Sequence, residues 1–471
     1  MDLHITLGSG EHTAAIYRQL LDAILDGRLP PDERLPSSRE LATRLRVARG
    51  TVGSAYERLV AEGFLVTRAG SGTFVSGDVV AHHRPRTPGR GTARPTAIWQ
   101  RIAPAVPDPA DPVPYDLSFG GPDPALFPLA GWRRVVSNAL RPSLVRTPVY
   151  ADPGHPALQR ELARQLGLSR SVRASGEDIV LTNGAQQGLD LCARALIEPD
   201  DVVAIEDPGY TAGISLFASY RASVRGVPVD RDGVVVDQLP DNAKIIYVTP
   251  SHQYPTGAVM SLQRRLALLQ WADDHGALII EDDYDSEYRY ADRPLEPLQS
   301  LDEHGRVIYL GSFSKTLHPM LRLGYLVAPT PLQPALRRAK QLTDWQGDFV
   351  TQQAMSQFLA EGQLAAHTRR ARRSYRDRRD ILLAELDQLR PLEVLPSVAG
   401  LHVCARFRDP EVDAREVERR AAEMGVRVSA IARCFHEYEP WPGLALGFSR
   451  ITAANIPGAV GLLGRVLGSA D

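Results

Sequence analysis

The chain has 471 residues, more than one typical domain, so two or three domains are expected. It is 44% hydrophobic and 23% charged with a formal net charge of −2, so it has no global basic field, and any nucleic-acid contact must come from a local patch. No apolar run approaches ~18 residues, the N-terminal MDLHITLGSGEHTAA lacks the pattern of a signal peptide, and Cys192, Cys404 and Cys434 lack metal-ligand spacing, so a membrane span, secretion and a disulfide framework are not expected and a reducing cytoplasm is.

The head, residues 11–77, opens with Ile16, Leu20 and Ile24, joined by Leu21 and Leu25, in one apolar stripe at helical spacing. Gly27 and Pro30-Pro31 stop that helix. Ser37 with Glu40 three residues on reads as a capping box that opens a second helix, whose apolar face is Leu41 and Leu45. A third helix from about Arg49 would turn Val52, Tyr56, Leu59 and Val60 inward. After Gly63, FLVTRAGSGTFV reads as strand, glycine turn, strand. This order is a winged helix-turn-helix, an α+β unit whose third helix would enter the major groove. Arg34, Arg39, Arg44, Arg46 and Arg49 cluster around the turn and the start of that helix.

The stretch LPSSRELATRLRVARGTVGSAYERLVAEGFL closely resembles the signature of the GntR family of bacterial regulators. The resemblance implies binding of double-stranded DNA through Arg39, Arg49, Thr51 and the wing, here Arg68 and Gly70. Two positions depart from the pattern. Gly53 stands where some members carry another arginine, and Ala48 where a capping serine is common. Base recognition is therefore expected to be weaker or differently distributed.

Residues 78–114 are rich in Pro, Gly and Arg, without a sustained apolar period, and read as an extended linker. Five arginines and no acid fall between His82 and Arg101. They form either a solvated tether or one that also touches DNA phosphates.

In residues 115–468, apolar strand-like runs alternate with amphipathic helices. DIVLTNG, VVAIEDPGY, KIIYVTP, ALIIEDDYD, RVIYLGSFSK and RLGYLVAP are the strand candidates. Such alternation implies an α/β fold with a mostly parallel sheet covered on both faces. Ligands on these sheets sit at the carboxyl ends of the strands. There stand Asn183-Gly184-Ala185-Gln186 at a strand-to-helix junction, Tyr210, Asp282 with Tyr284, and Lys315 with Ser312, Ser314 and Arg322. An amine, a carboxylate, a phenol, a flat ring and a phosphate cradle are what pyridoxal 5′-phosphate (PLP) needs.

SFSK, residues 312–315, resembles the Schiff-base motif of fold-type I aminotransferases, and the resemblance covers essentially all of residues 115–468. It implies a three-layer domain with a small C-terminal lobe, and a homodimer. Lys315 would be the Schiff-base lysine, Asp282 would meet the pyridine nitrogen and Tyr284 the ring hydroxyl. Ser312, Arg322, Ala185 and Gln186 would hold the phosphate, and Tyr210 would stack on the ring. Tyr150 resembles the tyrosine that reaches the neighbouring subunit's phosphate, and Arg450 the arginine that binds a substrate carboxylate. Where many aminotransferases have Asn-Pro-x-Gly, this chain has Ser251-His252-Gln253-Tyr254-Pro255-Thr256-Gly257. That form, and the order head, linker, body, resemble MocR-type regulators.

A divalent-metal reading of EDDYDSE, residues 281–287, lacks a second acidic cluster, and no metal is expected. HTRRARRSYRDRRDILLAEL, residues 367–386, carries seven arginines between 369 and 379. It reads as a long helix with a solvated basic face or as a second DNA-contacting surface. The function expected is transcriptional regulation of amino-acid, amine or vitamin B6 metabolism. The body would sense PLP, or an amino acid or amine that forms an aldimine with it. The rival expectation is a working aminotransferase with a vestigial head.

Overall fold

A computed structural model describes residues 5–7, 11–77, 92, 94–102, 113–141, 154–290 and 296–468. The chain separates into two compact units, residues 1–95 and 96–471.

In the first unit, helices α1 (His12–Leu25), α2 (Ser38–Leu45) and α3 (Arg49–Ala61) precede strands β1 (Leu65–Arg68) and β2 (Gly72–Val75). Ile16, Leu20, Ile24, Leu41, Val52, Ala55 and Leu59 are buried together with Leu65 and Val75. Each large aliphatic side chain removed from water contributes about 1.5–3 kcal/mol. Val60, expected inside, is 37% exposed, and Ala55 takes the inward position instead. Ser37 Oγ caps α2 by accepting the Glu40 N–H at 3.2 Å. The Glu40 carboxylate pairs with Arg44 at 3.3 Å, so only the serine half of the expected box forms. Arg46 ends α2 in the left-handed region at φ 53°, which turns the chain sharply into α3. β1 and β2 pair antiparallel around Gly70 at φ 72°.

Within the segment read as extended, Ala97–Arg101 forms a short helix. No proline or glycine interrupts its five residues, so the local chain can close one helical turn.

The second unit holds strands β3 (Tyr115–Asp116), β4 (Ile179–Thr182), β5 (Val202–Asp207), β6 (Ser223–Asp230), β7 (Gly233–Val234), β8 (Ala243–Val248), β9 (Leu278–Asp283), β10 (Val307–Ser312) and β11 (Gly324–Val327). Eight of them form one sheet in the order β4-β11-β10-β9-β8-β5-β6-β7. β11 runs antiparallel to both neighbours and β7 to β6, and the other pairs are parallel. Successive side chains face opposite ways along each strand. Ile308 and Leu310 therefore join one core, with the helix Ala185–Leu196, while Tyr309 joins another, with the helix Pro156–Arg170. Both faces are covered, which gives three layers.

The smaller lobe carries β12 (Leu392–Val394), β13 (His402–Phe407), β14 (Val426–Arg427), β15 (Ser429–Ala430) and β16 (Gly443–Gly447). Four are antiparallel in the order β12-β13-β16-β15, and β14 pairs with β3. That last pairing ties the start of the body to the lobe. It directs Phe119, Gly120 and Gly121 toward the strand ends of the large sheet, where Gly120 and Phe119 line the main cavity.

Candidate functional site

A cavity of about 250 Å³ opens at the carboxyl ends of the parallel strands. Lys315, Asp282, Tyr284, Tyr210, Ala185, Gln186, Ser312 and Arg322 all line it. All but Arg322 follow or end a buried apolar strand, and Arg322 stands just before the antiparallel β11, so the sheet itself aims them at one volume. Tyr150 lies outside the described residues. Arg450 stands beside the cavity. A Cβ at Gly121 would collide with its Nη2, whereas one at Gly120 would fall 3.6 Å from Lys315 Nζ. Two consecutive glycines thus let both cations approach one backbone turn. Arg450 also lies 3.9 Å from Asp116.

Asp282 is buried, with one oxygen accepting the Tyr247 hydroxyl at 2.7 Å. Its Oδ1 is buried with no hydrogen-bond partner among the described residues. Burial pushes its pKa up to about 7, against the Tyr247 hydrogen bond that favours the charged form. An open buried acceptor of this kind fits a protonated ring nitrogen. Burial lowers the pKa of Lys315, which favours the neutral, nucleophilic amine, and its Nζ donates to the Gly120 carbonyl.

Gly184 precedes the helix Ala185–Leu196 at φ 83°, a conformation suited to glycine. The first N–H groups of that helix lack intrahelical partners and suit an anion. Arg322 donates to the Asn183 carbonyl at 2.8 Å and packs on Gly184, where a Cβ would come 3.1 Å from its Nη2. Tyr210 donates to Gln186 Oε1 at 3.2 Å, and burial pushes its pKa up to about 12. Ser312 Oγ accepts the Ser314 N–H at 3.0 Å. Cradle, amine and open carboxylate therefore face one volume, and the donor set matches a phosphorylated, aldehyde-bearing heterocycle.

The five acids of residues 281–287 do not converge. Glu281 accepts the backbone N–H groups of Leu298 and Gln299 at 2.9 and 3.0 Å. Asp282 faces the cavity, and Asp283 binds Arg170 at 2.8 Å on the opposite side of β9. Asp285 holds His252 Nδ1 at 2.9 Å, and Glu287 faces a different cavity. The donor atoms of His252, Asp285 and His402 lie within 4.8 Å of one another. His252 Nδ1 is taken by Asp285 and Tyr284 and His402 Nε2 by the Pro255 carbonyl at 2.9 Å, while His252 Nε2 is buried without a hydrogen-bond partner among the described residues.

Sequence reasoning missed Phe119, Gly120, Tyr247, Thr249, Asp285, Leu401 and His402 as lining residues. A polar residue closing a strand, as Thr249 does after β8, was the available signal for one of them. Tyr254 lines the cavity too, with its ring 5.4 Å from Phe119 and its phenol hydrogen-bonded to Cys434.

On the head, Arg39, Arg46 and Arg49 are exposed around the turn and the start of α3, and Thr51 is half-buried. Gly50 and Gly53 have open space at their Cβ positions, so the outer face of α3 between Arg49 and Ser54 is poor in side chains. Arg68 pairs with Asp32 at 2.6 Å and lies 4.7 Å over Phe74, while Gly70 forms the hairpin tip.

Two family models match the chain: bacterial regulatory proteins, gntR family, over residues 12–75, and aminotransferase class I and II over residues 144–459. Fold and matches together define a gntR-type head on an aminotransferase body. The chain is 36% identical over 449 residues to the probable rhizopine catabolism regulatory protein MocR of Rhizobium meliloti, covering 93% of this chain and 90% of that protein. It is 34% identical to the HTH-type pyridoxine biosynthesis transcriptional regulator PdxR of Corynebacterium glutamicum, over 95% of this chain and 94% of that one. The body superimposes on Pyrococcus horikoshii kynurenine aminotransferase, solved with PMP, with a TM-score of 0.71 at 27% identity over 76% of this chain and 92% of that one. The chain belongs to the MocR-type regulators of the GntR family.

Proposed function

We propose that this protein is a DNA-binding transcriptional regulator whose body binds PLP and responds to PLP or to an amino compound. The observation that carries the reading is similarity to named regulators across both units, 36% identity over 93% of the chain. The cavity supports the cofactor half. The open Oδ1 of Asp282 would meet the ring nitrogen, Ala185, Gln186, Ser312 and Arg322 would hold the phosphate, and Tyr210 would cover the ring. When bound, PLP supplies an aldehyde that captures primary amines and a ring that withdraws electrons.

The residues around it divide the remaining work. Lys315 offers a desolvated amine, positioned by the Gly120 carbonyl. Tyr247 orients Asp282, and Tyr254, Phe119 and Leu401 exclude water from one side. Arg450 would take a carboxylate in place of its distant partner Asp116. A ligand regulates only by binding two conformations unequally. Bridging Lys315 on the large sheet and Arg450 at the smaller lobe would favour a closed form. The assembly that fits this fold is a homodimer, and the partner is double-stranded DNA.

One observation favours a residual aminotransferase half-reaction: the amine, open carboxylate and Arg450 are all in place. Genome-wide mapping of the purified protein on its own genomic DNA, with and without PLP, separates the readings. Sharp sites that change with PLP are expected of a cofactor-dependent regulator. Weak, salt-sensitive binding everywhere would put the enzyme reading first.

A further inference from the structure

A second cavity, of about 330 Å³, lies on the opposite face of β9 and β10 from Lys315. Its size is in the range of small-molecule sites. Its floor is apolar and aromatic, including Phe313, Tyr325, Leu166 and Leu364, and four arginines, Arg170, Arg289, Arg369 and Arg372, border it. Arg170 is neutralised by Asp283 at 2.8 Å. Among the described residues the other three have no ion-pair partner, and Arg289 Nε is buried without a hydrogen-bond partner.

Glu287, the carboxylate that lines this cavity, does not supply the missing charge. Burial raises its pKa to about 7, so at neutral pH it is substantially protonated, and its Oε2 is also buried without a partner. Burial and the neighbouring Arg170 both disfavour the charge on Arg289. A partly buried guanidinium beside another cation is costly unless an anion meets it. Glu287, whose Oε2 is free, lines the same cavity and can donate from that oxygen to the anion when protonated.

We propose that this cavity is a second ligand site, for a small organic anion. Its oxyanion head, carboxylate or phosphate, binds Arg289, Arg369 and Arg372, and its apolar or aromatic body lies on Phe313 and Tyr325. The site is independent of the Lys315 cavity in its ligand set, yet it touches the same strand. Asp283, which Arg170 holds, directly follows Asp282, so an anion that draws Arg170 away acts one peptide from the first cavity.

The test is calorimetric titration of the full-length, PLP-loaded protein, freed of excess cofactor, with phenyl phosphate and with benzoate. One saturable site per chain is expected for at least one probe, and the tighter probe identifies the head group. Binding should weaken at least ~tenfold in Arg289→Gln and in the double variant Arg369→Gln/Arg372→Gln. Any benzoate binding that Arg450→Gln alone removes belongs to the first cavity, whereas the site proposed here keeps its saturable binding in that variant. The double variant alters two exposed side chains, so retained circular dichroism guards against misfolding. Absence of saturable binding by either probe overturns the proposal. So does binding that Arg322→Gln or Arg450→Gln abolishes while the double variant keeps it. If neither probe binds but the double variant loses DNA affinity, the helix Gln363–Leu386 is a DNA-contacting face and the small-anion site is wrong.

Discussion

Asp282 is held where burial disfavours the charge that its proposed partner requires. Below about pH 4 the carboxyl is protonated in folded and unfolded chains alike and contributes nothing to pH dependence. Between pH 4 and 7 only the unfolded chain ionises it, so the folded state loses stability as pH rises. Above its raised pKa of about 7 the loss is complete, with a ceiling of about 4 kcal/mol. Asp282→Asn removes this term. The cofactor-free variant should therefore gain on wild type in thermal unfolding midpoint as pH rises from 4 to 8, while its PLP affinity falls at least ~100-fold. A gap between the two midpoints that does not move with pH would mean that Asp282 ionises normally. At the cradle, Gly184→Ala should cost about 1–2 kcal/mol from the positive φ alone, and more because its methyl presses Arg322. Denaturant unfolding reads the first effect and PLP titration the second. Lys315→Ala should retain the fold and lose the cofactor absorbance near ~420 nm. An unchanged spectrum would remove Lys315 from the site.

At the scale of elements, the recognition helix carries few groups to spare. Arg49 opens α3, and the following Gly50 and Gly53 leave its outer face bare. Arg39→Ala and Arg49→Ala should each weaken operator binding and, where the contact is to phosphate, lower the salt slope by about one. Arg68→Ala should cost less, because that side chain already pairs with Asp32. Fluorescence anisotropy at several salt concentrations separates these cases, and equal affinities for all three variants would contradict the assignment. The same scale explains what was legible beforehand. Strands β4, β5, β8, β9, β10 and β11 announce themselves as buried apolar runs, and the carboxyl ends of the parallel ones are where an α/β sheet gathers polar groups. Phe119 and His402 carried no such signal. Phe119 reaches the cavity through the β3–β14 pairing of segments hundreds of residues apart, and His402 through the smaller lobe's own sheet, where it pairs with Gly447. Glu40 was misread because two neighbours compete for it, and Arg44 one turn away wins over the backbone. The acids of residues 281–287 looked like a cluster along the chain, but strand alternation sends neighbours to opposite faces.

At the scale of the whole molecule, the two units have separate cores. Among the described residues, Ile16, Leu20, Val52 and Leu59 belong to one cluster in the first, and the sheet and smaller-lobe clusters lie within the second. Units whose apolar surfaces are buried separately unfold as separate cooperative blocks. A ligand that binds one block stabilises that block by mass action, about 2.7 kcal/mol at a hundredfold excess over its Kd. For a body of this size that is a rise of about 4 °C in its midpoint. Scanning calorimetry should therefore show two transitions, with PLP raising the one of larger enthalpy and leaving the smaller one in place. An operator oligonucleotide should do the reverse, raising the small transition first. If PLP moved both together, the cofactor would be coupled to the head in the absence of DNA, and binding at Lys315 would itself be the regulatory signal. If it moved only the body, the signal would require an effector or the DNA complex. Repeating the scan with an amino-acid effector and with Arg450→Ala decides between those two, because only an effector anchored at that arginine loses its shift in the variant.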